Sequence, residues 1–285
     1  MGKTEVAIEV ARYFKTSIVS ADSRQCYRQM NIGTAKPSIT QLNNIKHYFI
    51  NEYDISTLLT AADFEQLALQ YIGEIFGSND VAIVCGGTGL YIKALCEGLD
   101  AMPQVDAEIE NSVNEQYKQN GLGWLQEEVK NNDPLFYNSG EIYNPSRLLR
   151  ALVFKLSTNE SITAFRTGIK KQRPFRIIKA GLELPRETLY ARINKRVDDM
   201  IKAGLEEEVR SLHLYKNLKN LQTVGYTELF EFLDGNYTLA EAISKIKQHT
   251  RNYAKRQLTW FKKDEEIRWL RADKEDIAKH IAALV

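Results

Sequence analysis

The sequence predicts an α/β fold, and three observations carry that reading. Gly2-Lys3-Thr4 opens an amphipathic helical pattern, as the back half of a phosphate-binding loop does. Apolar strand patterns run into small, polar or Gly-rich turns and then into helical patterns, the order expected of a parallel sheet with crossover helices. Residues 105–170 are polar and helical in pattern, with no strand among them. Together these predict a P-loop NTPase-like parallel sheet core over residues 1–104 and 173–285, interrupted by an all-helical insertion domain over 105–172. The first Gly of a G-x-x-x-x-G-K-[ST] loop, and the strand feeding it, would lie before residue 1. The expected core therefore has its first strand and the front of its P-loop missing.

In chain order, residues 3–14 set Val6, Ala7, Val10, Ala11 and Phe14 at helical spacing. The β-branched run in TSIVSADSRQCY reads as a buried strand followed by a loop. VAIVC (81–85) is a second apolar run, stopped by Gly86-Gly87 and followed by the helical pattern TGLYIKALCEGL. Ligands of such sheets sit beyond the carboxyl ends of the strands, here SADS and CGGT. After the insertion, the basic connector KKQRPFR (170–176) leads to a strand candidate, IIKAGLEL (177–184). Helical patterns follow at 186–214, 224–234 and 238–263, then a short strand at 267–270 and a closing helix from residue 273.

Composition narrows the function classes. The formal charge is +1, so a polyanion partner would need a local patch rather than a global field. Cys26, Cys85 and Cys96 are an odd, widely spaced set, which argues against a disulfide framework or a zinc site and fits a reducing compartment. There is no run of about 18 apolar residues and no signal-peptide pattern, so a soluble, cytoplasmic protein is expected.

Several residue groups could carry chemistry. Gly2, Lys3 and Thr4 would supply backbone donors, a cation and an Mg²⁺-ligating hydroxyl to a phosphate group, or merely begin a surface helix. Asp22, at a strand's carboxyl end, is a candidate general base or metal contact; it could equally cap a turn. Ser23, Arg24 and Gln25 add groups that suit a base edge or a phosphate. Thr88 offers a hydroxyl after two glycines, or a plain N-cap. Cys85-Gly86 stands where a motor ATPase or GTPase would carry Asp, which favours a small-molecule kinase or a group transferase. IGTAKP (32–37), with Lys36, reads as a turn, and nothing in its pattern assigns it a role. Arg147 and Arg150 are three apart on a helix, as phosphate contacts or as a solvated face. Along 250–263, Arg251, Lys255 and Lys262 share one helical face, and Tyr253 and Trp260 share another. That interleaving suits phosphate contact with base or prenyl stacking, and also a charged surface over a core stripe. The four histidines are scattered without ligand spacing.

Taken in order, GKT, SADSRQCY, IGTAKP, GGTGLYIKAL, NPSRLLRAL, RVDDMIKAGLEEEV, TVGYTEL and TRNYAKRQLTWF span nearly the whole chain. This series resembles the tRNA dimethylallyltransferases, also called isopentenyl-diphosphate:tRNA transferases. The resemblance implies transfer of a dimethylallyl group from dimethylallyl diphosphate to N6 of the adenosine just 3′ of the anticodon, in tRNAs reading codons that begin with U. Gly2, Lys3, Thr4 and Arg251 would hold the diphosphate, with Thr4 on Mg²⁺. Asp22 would be the base for the N6 amine, and Thr88 would orient the reacting centre. Asp22, Ser23, Arg24, Gln25 and Thr88 would contact the tRNA anticodon stem-loop. So would Ser146, Arg147, Leu148, Leu149 and Arg150, and also Lys255, Arg256 and Gln257. A monomer without membrane attachment is implied, of bacterial type because no zinc-finger extension follows. Ser146, Val153 and Glu110 depart from the residues many members carry, and Glu110 replaces a basic tRNA contact. A chain starting at residue 1 is expected to be weakly active or inactive, several loop donors being absent. Two rival readings stand beside this one. One is a P-loop small-molecule kinase with Asp22 as base; the other is a tRNA-binding protein inactivated by its truncated loop.

Overall fold

The strand at Ile18–Ala21 (β1) is buried at all four residues, which is why its sequence, IVSA, shows no polar alternation. It follows the helix Lys3–Phe14 (α1), in which Ala7, Val10 and Ala11 are buried as the helical spacing predicts, joined by Ile8, while Val6 and Phe14 are half-buried. The computed structural model describes residues 2–139 and 141–285. Two compact units divide the chain: Met1–Cys96 with Arg173–Val285, and Glu97–Gln172.

In the first unit, β1 is the middle strand of a three-stranded parallel sheet, between His47–Tyr48 (β2) and Ile83–Gly86 (β3). The helices Ile39–Asn44 (α2) and Ala61–Phe76 (α3) lie in a stretch where the sequence pattern had singled out no element. Both are announced by capping boxes, Ser38 with Gln41 and Thr60 with Asp63. The α3 face packs Phe64, Ala68 and Ile72 into a core shared with Phe49, Tyr91 and the buried ring of Tyr27. Phe64 and Tyr91 stack at 4.2 Å, and each such ring contributes about 1.5–3 kcal/mol by leaving water. Tyr91 belongs to Gly89–Glu97 (α4), the helix that follows β3.

The second unit is helical among its described residues: Ala107–Asn132 (α5), Pro134–Tyr137 (α6), Pro145–Thr158 (α7) and a 3₁₀ turn at Ile162–Phe165. Gly121, at φ 75°, breaks α5 into two helices. Its own core comprises Leu125, Val129, Phe136, Leu148, Leu152 and Phe154.

The chain returns to the first unit at Arg173. The expected strands are found at Ala180–Glu183 (β4) and Arg268–Arg271 (β5), which pair with each other in a two-stranded parallel sheet. The single helix expected over 186–214 is two, Arg186–Lys202 (α8) and Leu205–Ser211 (α9), because Gly204 takes φ 97° between them. Tyr226–Leu233 (α10), Leu239–Phe261 (α11) and Ile277–Ala282 (α12) match the remaining patterns. Among the described residues no helix is long and apolar enough to cross a membrane.

Candidate active site

Ala21 and Gly86 are register partners at the carboxyl ends of β1 and β3, so the loops after them start side by side. A Cβ on Gly86 would lie 2.1 Å from the Ala21 carbonyl oxygen, so this approach requires glycine. The Ala21 carbonyl in turn accepts the Thr88 amide at 3.2 Å.

Asp22 does two things that the sequence offered as alternatives. Its Oδ1 accepts the amides of Arg24 at 2.9 Å and Gln25 at 3.3 Å, closing an Asx turn. Its Oδ2 has no hydrogen bond among the described residues, and Asp22 lines a large cleft. The turn is fixed from three sides. Thr88 Oγ1 accepts the Ser23 amide at 3.1 Å and donates to Ser23 Oγ at 3.4 Å. Its hydroxyl therefore faces the Asp22 turn rather than capping α4. Arg24 donates to Asn220 Oδ1 at 3.3 Å, and buried Asn220 donates to the carbonyls of Ile55 and Thr57. Gln25 accepts from Ser20 Oγ and donates to the carbonyls of Thr34 and Ala35.

The start of α1 faces the same loops. The first intrahelical bond of α1 runs from the Val6 amide to the Gly2 carbonyl, so the amides before Val6 have no helical partner. A Cβ on Gly87 would meet Gln257 Nε2 at 2.2 Å and Lys3 Nζ at 2.9 Å. Gln257 Nε2 donates to the Gly87 carbonyl at 2.7 Å. The glycine is thus what lets α1 and α11 close on this loop. Gly2, Lys3, Thr4, Asp22, Gln25, Lys36, Gly87, Arg196, Tyr253 and Gln257 line one cleft of about 940 Å³. Its other walls are largely apolar, including Val84, Leu182, Ile193, Leu258, Phe261 and Trp269.

Burial holds two of the three cysteines in the thiol form. Burial pushes the Cys26 thiol up to about 12, with Asp22 adding to the rise, and burial raises Cys85 against the opposing charge of Lys3. Neither sulfur is a thiolate near neutral pH. Burial also raises the Tyr253 phenol, with Asp22 as the next cause.

Lys36 holds its loop closed by donating to the Tyr27 carbonyl, to Asn31 Oδ1 at 3.1 Å and to Asn51 Oδ1 at 2.6 Å. Burial lowers its ammonium from 10.5 to about 8, partly offset by the Glu208 carboxylate. Across that window the unfolded chain keeps a proton that the folded chain has released, so this group adds stability as pH rises. Urea midpoints of the natural protein should therefore gain on those of Lys36→Met between about pH 8 and about pH 10. A difference that stays constant over the window would contradict the lowered value.

The remaining sequence candidates lie elsewhere. Arg251 donates to Asn194 Oδ1 of α8 at 2.8 Å and sits over the Tyr190 ring, and it is not among the residues lining the cleft. Lys255 is exposed. Arg256 stacks over Tyr253 at 5.6 Å and lines a separate groove with Thr223, Lys245 and His249. Ser146, Arg147 and Arg150 are exposed on α7 in the helical unit. Leu148 is wholly buried in that unit's core and Leu149 packs against it. Arg147 is paired with Glu141, whereas Arg150 has no ion pair among the described residues. Glu110 is exposed on α5.

Pattern reasoning passed over Arg196, Asn220 and Glu208. Each touches the cleft or its loops from a distant helix or turn, and none carries a local spacing signal; Glu208 is merely the last of three glutamates.

Comparison with known proteins gives a consistent result. Residues 25–264 match the family model described as IPP transferase. A tRNA dimethylallyltransferase of Cytophaga hutchinsonii is 46% identical over 268 residues, covering 94% of this chain and 88% of that protein. The tRNA dimethylallyltransferase 1 of Bacteroides fragilis is 43% identical, covering 100% of this chain and 95% of the relative. Among solved structures, a tRNA delta(2)-isopentenylpyrophosphate transferase from Staphylococcus epidermidis superimposes with a TM-score of 0.70 at 33% identity. It matches 99% of this chain and 93% of its own.

Proposed function

The chain belongs to the IPP transferase family, and from that premise we propose that it is a tRNA dimethylallyltransferase. Its donor is dimethylallyl diphosphate. Its acceptor is N6 of the adenosine 3′-adjacent to the anticodon, in tRNAs that read codons beginning with U. The observation that carries this reading is the Asp22 turn: a carboxylate with one oxygen committed to its own backbone and one open, beside Thr88, in a cleft that also contains the start of α1.

The chemistry asks for this arrangement. The N6 lone pair is delocalised into the purine, so the amine attacks only when its proton is accepted and the leaving group is stabilised. The N6 nitrogen forms a bond to C1 of the dimethylallyl group as the C1–oxygen bond breaks. The electron pair leaves on the diphosphate, and the N6 proton passes to Asp22 Oδ2. Lys3, Arg196 and the unpaired first-turn amides of α1 receive the diphosphate charge. The apolar wall around Leu182, Leu258 and Phe261 suits the five-carbon chain, and the cleft volume lies in the range of ligand pockets. The adenosine must leave its stack to enter.

Mg²⁺ fits this donor set. It binds through few protein oxygens, keeping water and substrate phosphates as its other ligands. The Thr4 hydroxyl is a hard oxygen donor lining the same cleft. It would hold the ion together with the substrate's phosphates, and the ion would neutralise part of the diphosphate charge.

We assign tRNA contact outside the cleft to Ser146, Arg147 and Arg150 of α7 and to Lys255 and Arg256 of α11. Arg150→Ala should weaken tRNA binding and reduce the salt slope by about 1. Arg147→Ala should change the slope less, because Glu141 already neutralises that guanidinium. Equal slopes for both variants and the parent, measured by filter binding, would return this helix face to solvent.

The activity is tested by incubating unmodified tRNA with carbon-labelled dimethylallyl diphosphate and Mg²⁺, using protein produced from its natural gene. Label should enter the tRNA in step with diphosphate release. Consumption of ATP with unlabelled tRNA would instead identify a kinase.

A further inference from the structure

One carboxylate outside the cleft is tied to four donors that together set the shape of a cleft wall. Glu208 of α9 accepts the amides of Asn31 at 3.0 Å and Ile32 at 2.8 Å on Oε2. On Oε1 it accepts the Gly33 amide at 3.1 Å and the Tyr226 hydroxyl at 2.6 Å. Three successive backbone N–H groups converging on one carboxylate form an anion cradle whose anion is a side chain of the same protein. The Tyr226 ring, wholly buried, closes the cradle from behind; a Cβ on Gly33 would lie 2.5 Å from it.

The loop so clasped ends in the carbonyls of Thr34 and Ala35, and these two oxygens accept the Gln25 side-chain amide at 3.1 and 3.3 Å. The Gln25 backbone amide donates to Asp22 Oδ1. A continuous set of hydrogen bonds therefore runs from Glu208 through residues 31–35 and Gln25 to the carboxylate of Asp22. We infer that Glu208 is a positioning residue for transfer: it fixes the 31–35 loop so that Gln25 holds the Asp22 turn and aims Oδ2 at the acceptor amine. This rests on the function proposed above. The residue is not among those lining the cleft that contains the start of α1.

Glu208→Gln tests it, because the amide keeps the side-chain volume yet can accept on only one of its two terminal atoms. Misplacing a reacting group by about an ångström costs up to roughly 100-fold in rate. The kcat for prenyl transfer should accordingly fall by roughly 10- to 100-fold, measured well below the variant's melting temperature. The KM for dimethylallyl diphosphate should stay as in the parent. Tyr226→Phe, which keeps the ring and removes one of the four donors, should show a smaller loss in the same parameter.

Amide hydrogen exchange supplies a readout independent of activity: Glu208→Gln should speed exchange at residues 31–33 and also at 23–25. Faster exchange at 31–33 alone, or a lowered melting temperature with unchanged kcat, would overturn the inference and leave Glu208 a purely structural clasp. A parent protein that transfers no prenyl group would overturn the proposed function, while the exchange pattern would still decide whether Glu208 and the Asp22 turn are coupled.

Discussion

Asp22→Asn should lower prenyl transfer by about 10²- to 10⁴-fold, the usual contribution of a positioned general base, with tRNA binding and melting temperature close to the parent's. Asparagine keeps an oxygen where Oδ1 accepts the amides of Arg24 and Gln25, so the Asx turn survives. What it loses is the basic Oδ2. Asp22→Ala removes both functions and should lose at least as much activity, together with protection of the Arg24 and Gln25 amides. The pair of variants separates chemistry from architecture. An asparagine variant that transfers at the parent's rate while the alanine variant fails would make Asp22 a turn-former only, and the proton would need another acceptor.

The largest stability effect is expected at Arg173, the first residue of the chain's return to the sheet unit. Its guanidinium pairs with Glu65 of α3 at 2.8 Å and donates to the carbonyls of Ala94 and Leu95, in the last turns of α4, at 2.8 and 2.7 Å. The side chains of Arg173 and Glu65 are only 8% and 9% exposed. Arg173→Met would leave a buried carboxylate without this guanidinium and deprive two helix-terminal carbonyls of their donor. The cost should be about 3–5 kcal/mol, as for other buried pairs broken on one side, read as a lower urea midpoint. The double variant Arg173→Met with Glu65→Leu should recover part of that loss, since an apolar pair of similar volume removes the buried charge. An unchanged midpoint in the single variant would show that the pair adds nothing beyond its own desolvation.

Where local pattern decides structure, the sequence was legible. α1, β1, β3, α7 and α11 appear close to where their apolar spacing puts them. Asp22 and Thr88 could be singled out because parallel strands deliver their following loops to one place. Elements whose limits depend on one backbone angle were less legible, as at Gly204 and Gly121. The pairing of β4 with β5 depends on contacts between segments some 88 residues apart by register, which periodicity does not encode. The Glu208 clasp was hidden for the same reason. A glutamate in EEE reads as a solvated helix start until the 31–33 loop is seen folded onto it. Arg251 and Leu148 show the opposite lesson. A motif position names a residue, but its packing decides what it can touch, and these two are held against Asn194 and in a core respectively.

Nucleoside mapping tests the central claim most directly. tRNA treated with dimethylallyl diphosphate, Mg²⁺ and the protein is cut to oligonucleotides and then to nucleosides, and each fraction is weighed by mass spectrometry. The account predicts one dimethylallyl group per modified tRNA, on N6 of the adenosine next to the anticodon, and its loss in Asp22→Asn. A prenyl group on another base or position, or full modification by the asparagine variant, would contradict it.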